Sequence, residues 1–355
     1  MNDNTTNITA LEKMFHDAPK SDFPSLPQNY AENTKPFDER YGDLKKQLGN
    51  RHDAVETGAL LASVKSGVPY DELVYLNQHG KGHVSVVMNR AAELIDKFDK
   101  NLRLSGFEIF LLLCAIQIHD IGNINGRNNH TTSFKHEFYN IALACFIKEA
   151  GLKEMIFQIA CAHGSTINGS DDTIAKLHSN TKLLNLDIRP RLLAAVLRFA
   201  DELADDCTRA KELDGMPESS RIFHAYSKTL HSVNLEKNEN NDKTYHIRLG
   251  YSLEQEQAIE RYKGKEREIS LIEEILNRTV KMERERRYCM RFLIPNIIIT
   301  EIKVEIDVNF LNEILPQNYR YTLSEGGYPN TEIDFPERMN IIEKTMEYSN
   351  KHKNQ

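Results

Sequence analysis

The chain has 355 residues, of which 40% are hydrophobic and 27% charged, with a formal net charge of −7. That length allows a sizeable core and about two domains, or one domain with extensions, and the composition excludes a wholly disordered or membrane-embedded chain. No run approaches the roughly 20 apolar residues of a spanning helix, the start lacks the regions of a signal peptide, and the acidic balance gives no general attraction to nucleic acid. A cytoplasmic protein with no membrane partner is expected, with polynucleotides disfavoured as substrates.

Residues 1–36 are polar, with four prolines between positions 17 and 36 and little periodicity, so a flexible or surface-draped segment is expected there. Residues 37–221 carry helical periodicity in the runs "PFDERYGDLKKQLG", "AVETGALLASVKSG", "HVSVVMNRAAELIDKFDK", "SGFEIFLLLCAIQIHD", "SFKHEFYNIALACFIKEAG", "KEMIFQIACAHG" and "IRPRLLAAVLRFADELADD". Gly49, Gly67, Gly151 and Gly164 read as C-terminal caps of four of them. The five cysteines are odd in number and never form a CxxC pair, so they read as reduced core thiols.

From residue 222 to 355 the pattern changes. "SVNLEKNENNDKTYHIRLGYS" alternates around a polar turn, as a β-hairpin does, and "NIIITEIKVEIDVNF" reads as a long β-branched strand. A charged helix lies between them, and its "ERERR" at 283–287 reads as an exposed, salt-bridged face. A tail ending in the helix "FPERMNIIEKTMEYSN" follows. The fold class is therefore mainly α: a helical bundle followed by a small α+β module of hairpin, helix and strand.

Four side chains stand out in the helical region. His83 opens an amphipathic helix whose buried stripe is Val84, Val87, Ala91, Leu94, Ile95 and Phe98. His119 and Asp120 close the most apolar run of the chain, and Asp201 lies one turn after Leu197 in another apolar run. Buried charges are expensive unless paired or bound to a metal, so the four together carry more weight than any one.

The order His83, His119-Asp120, Asp201, with the flanks "HGKGHVSVV", "AIQIHDIGN" and "LRFADEL", resembles the HD superfamily of metal-dependent phosphohydrolases over about residues 70–210. The resemblance implies an HD-type helical bundle in which these four residues hold a divalent cation, with Asp120 reaching the metal because the helix stops at Ile121-Gly122-Asn123. It also implies catalytic or second-metal roles among His130, His136 and His163. Glu137 or Asp205 stands in for the acidic partner that triphosphohydrolases of this type carry three residues after the catalytic histidine, where this chain has Ser133. Arg127, Arg198 and Lys135 are expected to meet substrate phosphate, with Lys81 and Arg209 as further cations and His79 behind His83. The "GGYP" at 326–329 lies far from the site and reads as a turn.

The function expected from this resemblance is hydrolysis of a nucleotide, with a deoxynucleoside triphosphate favoured. The alternatives are a phosphodiesterase or nucleotidase on cyclic or mononucleotides, a single-strand nuclease, and a non-catalytic nucleotide-sensing module. The His/Asp donor set suits manganese, iron, nickel or zinc, with magnesium accompanying substrate. A homo-oligomer regulated by a nucleotide or partner protein is expected from the C-terminal module, with a role in antiviral defence as one possible setting.

Overall fold

The computed structural model describes residues 8–25, 34–65, 80–125, 130–164, 172–210, 216–263, 267–309, 317–325, 333, 335 and 337–352. The chain divides into two compact units, Met1–Ala62 with His79–Ala204, and Ser63–Gln78 with Asp205–Gln355. The protein is mainly α-helical, with its principal sheet in the C-terminal part. No described helix is long and apolar enough to cross a membrane.

The first unit is built around one helix. In order it contains α1 (Ala10–His16), α2 (Phe37–Lys65), α3 (Lys81–Asp96), α4 (Gly106–Ile118), α5 (His130–Ser133), α6 (Lys135–Ala144), α7 (Ala150–Cys161), the short hairpin β1 (Thr181–Leu183) and β2 (Leu186–Ile188), and α8 (Pro190–Leu203). Every residue of α4 is buried. A helix apolar all round needs neighbours on every side, and α1, α3, α7 and α8 supply them.

Three sequence expectations fail in this unit for identifiable reasons. The segment expected to be flexible or surface-draped instead contains α1, fixed by a Thr9–Glu12 capping box, with Leu11 and Phe15 buried. Gly49 does not end a helix but lies inside α2, where a Cβ would sit 3.4 Å from Lys81 Cε. Gly151 likewise lies inside α7, and the single helix expected over "SFKHEFYNIALACFIKEAG" ends at Ala144. Phe146, at φ 62°, takes the left-handed position that glycine usually fills. Ile147 N–H donates to Ala142 O at 2.8 Å and Phe146 N–H to Leu143 O at 3.2 Å, the pair of bonds that closes a Schellman turn. Gly164 does stand in the turn after α7, and Gly67 lies outside the described residues.

Gly106, the first residue of α4, marks a close approach. A Cβ there would meet Ala18 Cβ and Phe23 Cζ, each at 2.7 Å, while its N–H donates to Asp22 Oδ2 at 2.9 Å.

The second unit contains α9 (Glu218–Thr229), β3 (Leu230–Asn238), β4 (Asn241–Glu254), α10 (Gln255–Ile259), β5 (Arg261–Lys263), β6 (Glu268–Ser270), α11 (Leu271–Leu293), β7 (Ile299–Asn309), β8 (Gln317–Ser324) and α12 (Glu337–His352). Its four-stranded sheet has the order β3-β4-β7-β8, with β4 and β7 parallel and both outer pairs antiparallel. The expected hairpin, helix and strand are present, and β8 adds a strand that the sequence reading passed over. Its alternation of buried Tyr319, Tyr321 and Leu323 with exposed residues is a period-two signal.

The "ERERR" run is salt-bridged as expected but only partly exposed: Arg284 is exposed, while two of its residues turn inward. Glu283 and Arg286 are buried and doubly bonded, Arg286 Nε to Glu283 Oε2 and Nη2 to Oε1 at 2.7 Å each, and Arg286 Nη1 donates to Ile299 O at the start of β7. The alternating signs serve a buried ion pair that fixes α11 to the sheet. Removing one partner of such a pair leaves an uncompensated buried charge. Arg286→Met is therefore expected to lower unfolding stability by about 3 kcal/mol, measured by urea denaturation followed through far-UV circular dichroism.

Candidate metal centre

Two helices carry three of the four expected ligands from one clamp. Ser105 caps α4, with its Oγ accepting from Glu108 N–H at 3.2 Å and Glu108 Oε2 accepting from Ser105 N–H at 3.0 Å. The same Glu108 receives Arg189, immediately before α8, through Nε at 2.9 Å and Nη2 at 2.7 Å. From Glu108 to His119 and from Arg189 to Asp201 the helical rise is similar, roughly 17 and 18 Å. A fork-like Arg–carboxylate contact at one end thus helps bring His119, Asp120 and Asp201 to a common level at the other. The fourth residue, His83, is in the first turn of α3 and is buried.

The four converge. His83 Nε2 lies 3.0 Å from Asp201 Oδ1 and 3.7 Å from Asp120 Oδ2. His119 Nε2 lies 3.3 Å from Asp120 Oδ2 and 3.7 Å from Asp201 Oδ1. One donor atom from each residue falls within 4.8 Å of all the others. The orientation of two of the donors is fixed from behind. His119 Nδ1 donates to Ile116 O at 2.8 Å, which turns Nε2 inward. Helix α4 stops at Ile118, and a 3-10 turn over Ile121–Asn125 follows, so Asp120 leaves the helix as expected. Asn123 Nδ2 donates to Asp120 Oδ1 at 2.9 Å and leaves Oδ2 facing the imidazoles.

The electrostatics fit a cation. Burial pushes the His119 pKa down, but hydrogen bonding and attraction from Asp120 and Asp201 outweigh it and hold the imidazole well above its usual value. Burial pushes the Asp201 carboxyl up, and His119 and His83 more than reverse this, holding it well below the usual carboxylate range. Two buried imidazoles and two carboxylates gathered this closely match the donor set of a divalent metal.

His163, in the turn after α7, also faces this group. Its Nε2 lies 3.5 Å from Asp120 Oδ1, and its ring meets that of His119 edge-on at 5.0 Å. Like His119, it turns Nδ1 to the carbonyl three residues back, Ala160 O. Arg198 does not point its Nη1 at open space: that nitrogen bonds Gly164 O at 3.0 Å and Thr173 Oγ1 at 3.1 Å. Thr173 Oγ1 in turn donates to Ala162 O at 2.8 Å, so Arg198 and Thr173 together hold the turn that presents His163.

Among the described residues, the other expected side chains are not gathered with these five. His136 is exposed on α6; Glu137 pairs with Arg51 at 2.5 Å, and Lys135 with Glu154 at 3.0 Å. Lys81 pairs with Asp53, and Asp205 with Arg209 at 3.7 Å and Arg278 at 3.9 Å. His130 begins α5, but its side chain, together with Arg127, His79 and the "GGYP" segment, lies outside the described residues. The sequence reading placed Asn123 only in the helix break, missing its bond to Asp120, and it missed the Glu108–Arg189 clamp. An Asn three residues after Asp120 and a Ser-x-x-Glu before an apolar run were the available signals.

The HD-CE family model matches residues 70–278, more than half of the chain. The chain belongs to the HD-CE family. No curated protein and no solved structure matches it. The matched span includes all four converging residues, and an HD-CE chain with a buried His/Asp cluster able to hold a divalent metal fits an HD-type hydrolase.

Because the His119 pKa is raised and a cation competes with a proton for its Nε2, metal binding is expected to tighten as pH rises towards and through that raised pKa, with release of protons. Calorimetric titration with Mn²⁺ in buffers of different ionisation enthalpy measures both. Asn123→Ala, which frees Asp120 to rotate, is expected to weaken Mn²⁺ binding by about tenfold in the same titration.

Proposed function

We propose that the protein is a divalent-metal phosphohydrolase acting on a nucleotide, with a deoxynucleoside triphosphate the favoured substrate. The observation that carries the reading is the convergence of His83, His119, Asp120 and Asp201 within 4.8 Å in an HD-CE chain. A cation bound there would lower the pKa of a coordinated water and polarise a phosphoryl oxygen. The chain's own contributions follow from the geometry of its side chains. His119 and Asp120 are held from behind by Ile116 O and Asn123, so the donor atoms need no reorganisation when a cation enters. His163 Nε2, beside Asp120, is placed to hold a proton or to bond a phosphate oxygen.

The nucleotide substrate rests on the resemblance to HD phosphohydrolases. The acid or base role of His130 and the phosphate role of Arg127 rest on it as well. The donor set supports metal-assisted hydrolysis and is indifferent to the base or sugar.

Hydrolysis of a panel of deoxynucleoside and ribonucleoside triphosphates, monophosphates and cyclic nucleotides, with product analysis, tests the proposal. Triphosphate release from a deoxynucleotide is the expected outcome. Since a Lewis-acidic cation contributes several kcal/mol to the transition state, Asp120→Ala is expected to reduce turnover by at least about 100-fold with unchanged far-UV circular dichroism. Turnover that survives Asp120→Ala and excess chelator would overturn it.

A further inference from the structure

Helix α4 delivers the two adjacent ligands from its C-terminal end, where the last carbonyls have no partner within the helix. Two imidazoles take up two of them. Ile116 O accepts from the ligand His119 itself. Gln117 O, two residues before His119, accepts from Nε2 of His52 at 2.7 Å. His52 comes from α2, is 3% exposed, and has no part in the cluster of four. A carbonyl oxygen can only accept, so Nε2 carries the proton and the imidazole is a fixed donor. Burial also depresses the His52 pKa, which favours its neutral form.

The Gln117 side chain is held from the same helix. Its Nε2 donates to Tyr41 Oη at 3.2 Å, and Tyr41 Oη donates to Glu12 Oε1 at 2.7 Å, where Lys45 Nζ also binds at 2.6 Å. Tyr41, Leu44, Leu48, His52 and Val55 lie along one buried stripe of α2. That stripe therefore grips the last turn of α4 by both its main chain and its side chain, and the gripped residue is the one from which the ligand pair is launched.

We infer that His52 is a positioning residue for the metal centre: by capping the Gln117 carbonyl it sets where α4 ends and hence where His119 and Asp120 point. This rests on the reading of those two residues as metal ligands. It makes His52 an outer partner of the site, acting through the main chain rather than on the cation or the substrate.

Mn²⁺ titration of the metal-free full-length chain tests this without reference to turnover. His52→Met removes the donor at similar length and is expected to weaken Mn²⁺ binding by about tenfold or more. His52→Gln, whose amide reaches as far as Nε2, is expected to restore affinity to within about threefold. His52→Asn, whose amide stops short of the Gln117 carbonyl, is expected to behave as His52→Met and serves in its place should that variant not fold. Leu48→Ala, one turn earlier on the same stripe, is expected to lower the thermal midpoint while leaving Mn²⁺ affinity within about twofold. The inference is overturned if His52→Met or His52→Asn binds Mn²⁺ as the parent does, if His52→Gln fails to recover, or if Leu48→Ala loses affinity equally. Asp120→Ala is titrated alongside: parent binding that Asp120→Ala does not weaken would overturn the metal-ligand reading and this inference with it, whereas loss in Asp120→Ala alone would overturn only the role of His52.

Discussion

Placing two imidazoles and two carboxylates together inside a helical unit is costly in isolation, because each ion forfeits hydration that the protein interior replaces poorly. Much of the first unit's polar structure is arranged around that constraint. The Glu108–Arg189 clamp ties the ligand-bearing helices, backbone carbonyls fix the tautomers of His119 and His163, and Asn123 takes one oxygen of Asp120. Attraction between the imidazoles and the carboxylates offsets part of that cost, raising the His119 pKa and lowering that of Asp201. The low dielectric that makes such a site expensive would also strengthen the pull of a bound cation on any substrate oxygen.

The candidate ligand positions were legible in the sequence because each sits at or near a helix end with an apolar stripe that determines its facing. His83 precedes the stripe from Val84 to Ile95, and His119 follows a run whose uniform apolarity admits only burial. The order of the four, more than any single residue, carried the resemblance, and the HD-CE match bears it out. What orients them was less legible. The Glu108–Arg189 contact spans 81 residues and the His52–Gln117 contact 65; the Ser-x-x-Glu before α4 signals a capping Glu108 without its distant partner, and no local pattern announces His52. His136, Glu137 and Lys135 share a short helix with a buried face, and their neighbours in sequence do not reveal that all three turn to solvent.

The fold-level differences share a cause. Local signals for glycine and charge were read at their commonest meaning, and tertiary contacts assigned them another. Gly49 and Gly151 are tolerated within helices, while Phe146 takes the left-handed turn because Ile147, buried immediately after it, anchors the chain there. The run at 283–287 alternates in sign as an exposed helix would, yet a helix laid on a sheet puts every third or fourth residue inward, and Glu283 and Arg286 fall on that face.

The tight contact at Gly106 limits which sequences can keep this arrangement. Exchanging a helical glycine for alanine is an ordinary way to stiffen a protein, worth up to about 1 kcal/mol. Here a single methyl would collide with Ala18 and Phe23, and the backbone bond to Asp22 binds together stretches 84 residues apart. The side chain tolerated at this position is therefore set by neighbours remote along the polypeptide, and a stabilisation scheme based on helix propensity alone would pry the segment after α1 away from the helix that leads to His119 and Asp120.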